Sequence, residues 1–164
     1  IVMGLNQGMQ PIAGYNYGAK QYLRVTKVLK ITIYAATIVT TIGFLMGMFI
    51  PQLAVSIFTT HEELVNISAK GLRIVVMFFP IVGFQMVTSN FFQSIGMAGK
   101  AIFLSISRQV LILIPCLLIL PQFYGQLGVW ISMPVSDITA SLIAGTMLWW
   151  QFRQLYQQFG NHME

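Results

Sequence analysis

LGVWISMPVSDITASLIAGTMLWWQ, residues 127–151, is apolar over almost its whole length and carries one charge, Asp137, about halfway along. A helix needs about 20 predominantly apolar residues to cross roughly 30 Å of hydrocarbon, and this segment is long enough. A charge in the middle of such a span costs on the order of 2.5–3.5 kcal/mol on insertion scales, so it faces a cavity or a partner rather than lipid. The other acidic residues, Glu62, Glu63 and Glu164, are remote in sequence. The segment therefore reads as a membrane helix with a charge that something else in the fold must satisfy.

The rest of the chain agrees. Of its 164 residues 56% are hydrophobic and 8% charged, with a mean hydropathy of +0.74, too little polar surface for a water-soluble domain. Charge-free stretches cover 1–19, 31–61, 74–99 and, apart from Asp137, 109–152. The last would overshoot a bilayer as one helix, and Pro121-Gln122-Phe123-Tyr124-Gly125-Gln126 supplies the break. The expectation is an all-α polytopic bundle in one membrane domain over 1–164, with spans near 1–18, 29–50, 67–95, 103–121 and 127–151. Four are complete and the leading one is partial. The short alternating strands of a β-barrel are absent from the sequence.

Orientation follows from the basic residues, which stay cytoplasmic in short loops. Lys20, Arg24, Lys27 and Lys30 fill the first connection, and alternation puts Lys100, Arg108 and Arg153 toward the same side. The second connection carries Glu62 and Glu63. Lys70 and Arg73 dissent, and snorkelling or pairing with those glutamates would hold them. The net charge of +5 thus belongs to inside loops rather than to nucleic-acid binding, which calls for a clustered basic and aromatic surface. A chain beginning at Ile1 without a basic leader reads as part of a larger protein. Cys116, within an apolar span, offers no intrachain disulfide and no metal motif.

Three Gly-x-x-x-Gly spacings, Gly4/Gly8, Gly14/Gly18 and Gly43/Gly47, are expected to let neighbouring backbones approach. Pro11, Pro80, Pro115 and Pro134 fall inside apolar segments, where a missing N–H and a ring clash kink a helix and free a carbonyl. Pro134 lies three residues before Asp137. Thr60 and Glu63 have the spacing of a capping box, and His61 reads as a solvated loop histidine. Asn66-Ile67-Ser68 matches a glycosylation acceptor but abuts the membrane. Trp130, Trp149 and Trp150, with Tyr22, Tyr34 and Tyr124, read as interfacial anchors, and the methionines and phenylalanines could line an adaptable pocket.

The ordered series of motifs resembles a known family. Gln10-Pro11 with Gly14-Tyr15-Asn16-Tyr17-Gly18-Ala19, then Phe79-Pro80, Asn90-Phe91-Phe92-Gln93-Ser94-Ile95-Gly96, Arg108-Gln109, Pro115, Leu120-Pro121, Phe123, Gly125, Gly128-Val129-Trp130 and Pro134-Val135-Ser136-Asp137, is similar to the second half of multidrug and toxic compound extrusion (MATE) transporters. The resemblance implies a twelve-helix, two-lobed antiporter in a bacterial cell membrane, with this chain as the end of the eighth helix through the twelfth. It also implies export of small amphipathic, often cationic compounds in exchange for protons or sodium, with no other cofactor, and the N-terminal half of the same protein as partner. Some branches of the family carry an acidic cation-site residue in the tenth helix, where this chain offers Gln85, Thr88, Ser89 and Asn90. Others place the coupling carboxylate in the first half.

Asp137, Gln85, Ser89 and Asn90, with the polar tip of Tyr15 or Asn16, are therefore the candidates for a substrate or cation cavity, because buried polar groups in hydrocarbon need partners or water. A carboxylate in such a place can exchange a proton that a cationic substrate competes for. The plainer alternative for Asp137 is a structural pair with Arg108. A lipid-linked oligosaccharide flippase of the same superfamily is the rival function, although its cavity should be more basic. An intramembrane enzyme would need a second acid, a histidine or a nucleophile beside Asp137. His61 and His162 both lie outside the spans, so no catalytic or metal-ligating set is expected. A non-transport membrane bundle is the remaining alternative.

Overall fold

The computed structural model describes residues 1–59 and 61–160, with the side chains of 155–160 left aside. Among the described residues every regular element is helical. They comprise α1 (Val2–Gly18), α2 (Tyr22–Phe49), a short α3 (Pro51–Ser56), α4 (Glu62–Val75), α5 (Phe79–Ser94), α6 (Ala98–Ile106), α7 (Ile114–Tyr124) and α8 (Gln126–Gly160). A 3-10 turn, Val76–Phe78, joins α4 to α5, and a π-helical segment, Ser107–Leu113, joins α6 to α7. The stretches Tyr22–Phe49, Glu62–Ser94, Ala98–Tyr124 and Gln126–Gln154 are long and apolar enough to cross a membrane. The four complete spans and the leading α1 are thus those read from hydropathy. The helix of the second span begins at Tyr22, well before the expected start near 29, because Lys27 and Lys30 can extend their ammonium groups to water while their backbone stays helical.

The helix irregularities coincide with the prolines. Pro80 follows the 3-10 turn and Pro115 the π-helical segment, as expected where proline has no N–H to return to the carbonyl four residues before it. Pro11 and Pro134 sit inside continuous helices. Gly125, with φ of +56°, makes the reversal between α7 and α8, a backbone conformation that side-chain-bearing residues rarely adopt.

Helix α5 is the hub, packed against α1, α2, α6 and α8. Its Val87, Phe91 and Phe92 are fully buried and join a cluster formed by Met9 and Ala13 of α1, Val25 and Leu29 of α2, Ala101 and Leu104 of α6, and Ala144 and Leu148 of α8. By contrast α7 buries none of its residues. Lipid tails are as apolar as these side chains, so association rests on close packing rather than on removing apolar surface from water.

That packing corrects several sequence expectations. Of the three glycine pairs, Gly4, Gly8 and Gly18 have open space where a side chain would project, while Gly14 and Gly47 are tightly apposed. Other glycines are tighter still. A Cβ on Gly83 would sit 2.7 Å from Thr40 Oγ1, and one on Gly128 would overlap the Leu120 carbonyl. Trp130 is half-buried, with its ring over Gly71 of α4, so it packs within the bundle. Thr60 of the expected capping box lies outside the described residues, as do His162 and Glu164. His61 occupies the cap position without a side-chain capping bond. Among the described residues the single ion pair is Arg108–Asp137, so Lys70 and Arg73 do not pair with Glu62 and Glu63.

Overlap with a backbone carbonyl cannot be relieved by a rotamer change. Gly128→Ala should therefore lower thermal stability by about 1–3 kcal/mol, the usual range for overpacking. Gly99→Ala, at a position with open space, should be neutral or slightly stabilising because alanine is the better helix former. Thermal unfolding of the purified protein in detergent checks both.

Candidate functional site

Helix α8 builds its buried face from small and polar residues at helical spacing: Ser132, Ser136, Asp137, Ala140, Ser141 and Ala144. Short side chains at these positions allow the π-helical segment to lie close alongside. Asp137 is 3% exposed. Its Oδ1 accepts from Arg108 Nε at 3.1 Å and lies 2.8 Å from Arg108 Nη2, so two guanidinium nitrogens converge on one carboxylate oxygen. Arg108 retains partial exposure, with its side chain 32% accessible. Next to Asp137, Ser136 Oγ donates to the Arg108 backbone carbonyl at 3.0 Å. Arg108 is therefore held twice by α8, through side chain and backbone, at the stretch where the α-helical pattern has widened. A widened turn leaves carbonyls short of their regular donors, and the Ser136 hydroxyl supplies one.

The other candidates separate into distinct places. Asn90 joins α5 to α1, accepting from Gln10 Nε2 at 3.2 Å while its own amide donates to the Met86 carbonyl. Ser89, one step round the helix, faces α6, where its hydroxyl lies 3.2 Å from Ser105 Oγ and 3.3 Å from the Ala101 carbonyl. Ser89 and Ser105 border a cleft of about 270 Å³ with Gln93, Ala98, Ala101 and Ile102. Gln85 is buried, and its Oε1 has no hydrogen-bond partner in the chain. Asn16 is buried and donates to the Ile12 carbonyl. Tyr15, the alternative to Asn16 in the sequence reading, is 77% exposed. The buried positions of α1, Asn6, Met9, Ala13 and Asn16, recur every three or four residues, and Tyr15 falls out of that phase.

Sequence reasoning missed Gln10, Ser105 and Ser136 as partners. Gln10 beside Pro11 and Ser136 beside Asp137 are polar residues in apolar runs, the same signal that singled out the candidates. A separate cluster lies at the end of the bundle that carries the basic residues. Lys100 Nζ donates to Gln151 Oε1 at 2.6 Å and lies over the rings of Phe92 and Trp150. Arg153 stacks on Trp149. Trp149 and Trp150 thus each meet a cation. Among the described residues no group of histidines, cysteines and carboxylates could hold a metal ion.

The geometry implies that neither member of the Arg108–Asp137 pair tolerates loss of the other. Breaking a buried pair costs about 3–5 kcal/mol because one charge is left uncompensated. Partial exposure of Arg108 puts the expected loss for Asp137→Asn or Arg108→Gln at the low end, about 3 kcal/mol. Combining the two should destabilise by clearly less than the sum, as measured by a double-mutant cycle on thermal unfolding.

Comparison with known proteins is consistent in family and fold. The MatE family model matches residues 1–118. The multidrug export protein MepA of Staphylococcus aureus is 26% identical over 144 residues, which cover 88% of this chain and 32% of MepA. MepA of Staphylococcus haemolyticus is 22% identical over the same length. Among solved structures, the MATE multidrug transporter DinF-BH superposes with a TM-score of 0.85 at 36% identity, covering 90% of this chain and 33% of that one. An inward-facing multidrug resistance MATE family transporter of the MOP superfamily superposes with a TM-score of 0.84 at 21% identity and so supports the fold alone. The chain spans about a third of the length of these relatives. With the family model matching well over half its residues, the chain belongs to the MATE family of multi-pass membrane transporters.

Proposed function

We propose that the intact protein is a secondary active antiporter that exports small amphipathic, often cationic organic compounds in exchange for protons or sodium, with this chain as most of its second half. Family membership supports transport, and the names of MepA and DinF-BH as multidrug transporters support the substrate class. The partial coverage of those relatives supports a remaining portion of the same protein as partner. The observation that carries the coupling reading is the Arg108–Asp137 pair. It is the single carboxylate–cation pair among the described residues, and it lies within two membrane spans.

In this reading Asp137 exists in two states. Ionised, it holds Arg108 through the two contacts on Oδ1. When a proton enters on the carboxylate, the ionic part of that attraction is lost, and the guanidinium keeps only weaker hydrogen bonding. A monovalent organic cation or sodium near Asp137 competes with Arg108 and with the proton for the same negative charge. Such competition makes binding of one ligand release the other, the thermodynamic requirement for exchange. Alternating access by lobes rocking around a site between them is the general mode of secondary carriers. The Ser89–Ser105 cleft and the Gln10–Asn90 bond supply uncharged polar groups along α5. In a bilayer such partly exposed polar positions require water or protein rather than lipid, which supports placing the pathway along the α1–α5–α6 face.

Efflux of a fluorescent organic cation from cells expressing the full gene should depend on the ion gradient and collapse with an ionophore. Gradient-independent or absent efflux rejects the proposal. In the same assay Asp137→Asn should reduce export and flatten its dependence on external pH, since the amide cannot exchange a proton in this range. A variant with reduced export and an unchanged pH profile would leave Asp137 with a structural role only.

A further inference from the structure

The start of α2 and the turn that leads into it carry Lys20 and Arg24 just ahead of Lys27 and Lys30, all exposed. Among the described residues no carboxylate forms an ion pair with any of them. Lys27 and Lys30 share one helix face with Leu23, Thr26, Ile31 and Tyr34, and these six residues line a groove of about 330 Å³. Leu23, Ile31 and Tyr34 are 68%, 57% and 70% exposed, and the apolar stripe continues down the helix through Ile38 and Ile42, which are also exposed. At 1.5 Å per residue the 28-residue α2 is about 42 Å long, well beyond the roughly 30 Å of hydrocarbon. Its lysine-bearing start therefore lies at headgroup level while Ile31, Tyr34 and Ile38 pass into the acyl region. The lysine bias of the loops assigns that end to the cytoplasmic leaflet.

We propose that this groove is a binding site for an anionic phospholipid of the cytoplasmic leaflet, with Lys27 and Lys30 on its phosphate and an acyl chain along Ile31, Tyr34 and Ile38. Charge complementarity selects the headgroup. Two ammonium groups one turn apart, backed by Lys20 and Arg24 and facing no acid, attract a net negative lipid and gain less from a zwitterionic one. The continuous apolar stripe selects a lipid over a soluble anion, because a free phosphate would leave that face unused. Helices α1 and α5, which pack on α2, present no charged side chain to the groove: Val2–Gly18 and Phe79–Ser94 contain none.

The test uses the intact protein, purified in neutral detergent and titrated with phosphatidylglycerol or phosphatidylcholine, with lipid retention followed by native mass spectrometry. Phosphatidylglycerol should be retained preferentially. Lys27→Gln/Lys30→Gln should weaken its retention about 25-fold, from roughly a fivefold contribution per lysine near an anionic headgroup, and Lys27→Arg/Lys30→Arg should preserve it. Equal retention of the two lipids, or an unchanged glutamine variant, overturns the site. So does inorganic phosphate that competes phosphatidylglycerol away at comparable concentration, which would make it a free-anion site. The unmutated protein gives an independent reading in lipid nanodiscs. Acetylation of Lys27 and Lys30 should be slowed by phosphatidylglycerol relative to phosphatidylcholine by more than that of Lys20. Equal protection in both lipids would instead mean that the remainder of the protein covers this face, and would overturn the site.

Discussion

A carboxylate within a membrane span must be satisfied by the protein, and much of the arrangement of the last two spans depends on how Asp137 is satisfied. Its partner cannot come from α8, which has no basic residue until Arg153. It comes from Arg108, the second residue of the widened segment Ser107–Leu113. Widening a helix by one residue per turn shifts side chains out of their usual phase and loosens the carbonyl ladder. Both consequences are used here: the guanidinium reaches Asp137, and the Arg108 carbonyl takes the Ser136 hydroxyl. Pro115, which cannot donate to the carbonyl four residues earlier, follows directly. The irregular stretch thus lies between a charge that needs a partner and a proline that weakens the regular alternative.

The same logic of local fit governs the rest of the bundle. Without water to drive apolar surfaces together, helices associate where their surfaces interlock. Among the contacts that leave no room for an added side chain are Gly14 against the Ser94 carbonyl, Gly83 against Thr40, Gly71 against Trp130, and Gly128 against Leu120. Helix α5 draws α1, α2, α6 and α8 around Val87, Phe91 and Phe92, whereas α7 is held at one edge by α8 and the π-helical segment. Polar side chains within this framework are mostly satisfied locally, as when Thr32, Thr40 and Thr88 return their hydroxyls to carbonyls four residues earlier. The orphaned oxygens of Gln85 and Asn6 are the exceptions on α5 and α1.

The span count and a break between Pro121 and Gln126 were legible from hydrocarbon thickness, although α7 runs through Pro121 to Tyr124 and the break narrows to Gly125; the cost of a lone charge made Arg108 one of two readings for Asp137, the other being a cavity. Helix starts were less legible. Lys27 and Lys30 mark the membrane surface without ending the helix, since long side chains decouple the charge from its backbone. Glycine spacing identified faces that could pack but not which did, because Gly4 and Gly8 have the same pattern as Gly43 and Gly47 and differ only in what tertiary structure brings to them. Periodicity puts Gln85 and Ser89 on one face of α5 with Asn90 one step round, but it does not say that Ser89 meets α6 and Asn90 meets α1. Neighbours in the third dimension separate residues that lie side by side in sequence, and of the adjacent pair Tyr15 and Asn16 only Asn16 is buried within this chain.

Under the antiport proposal, Asp137 is the point at which proton, arginine and transported cation compete, and infrared difference spectroscopy addresses that competition at the carboxyl group itself. Intact transporter reconstituted in lipid would be acidified and then exposed to a fluorescent organic cation. The account predicts a protonated-carboxyl stretch that appears on acidification, disappears when the cation binds, and is missing from Asp137→Asn. A cation-sensitive band that persists in Asp137→Asn, or no band that responds to the cation at all, would contradict it.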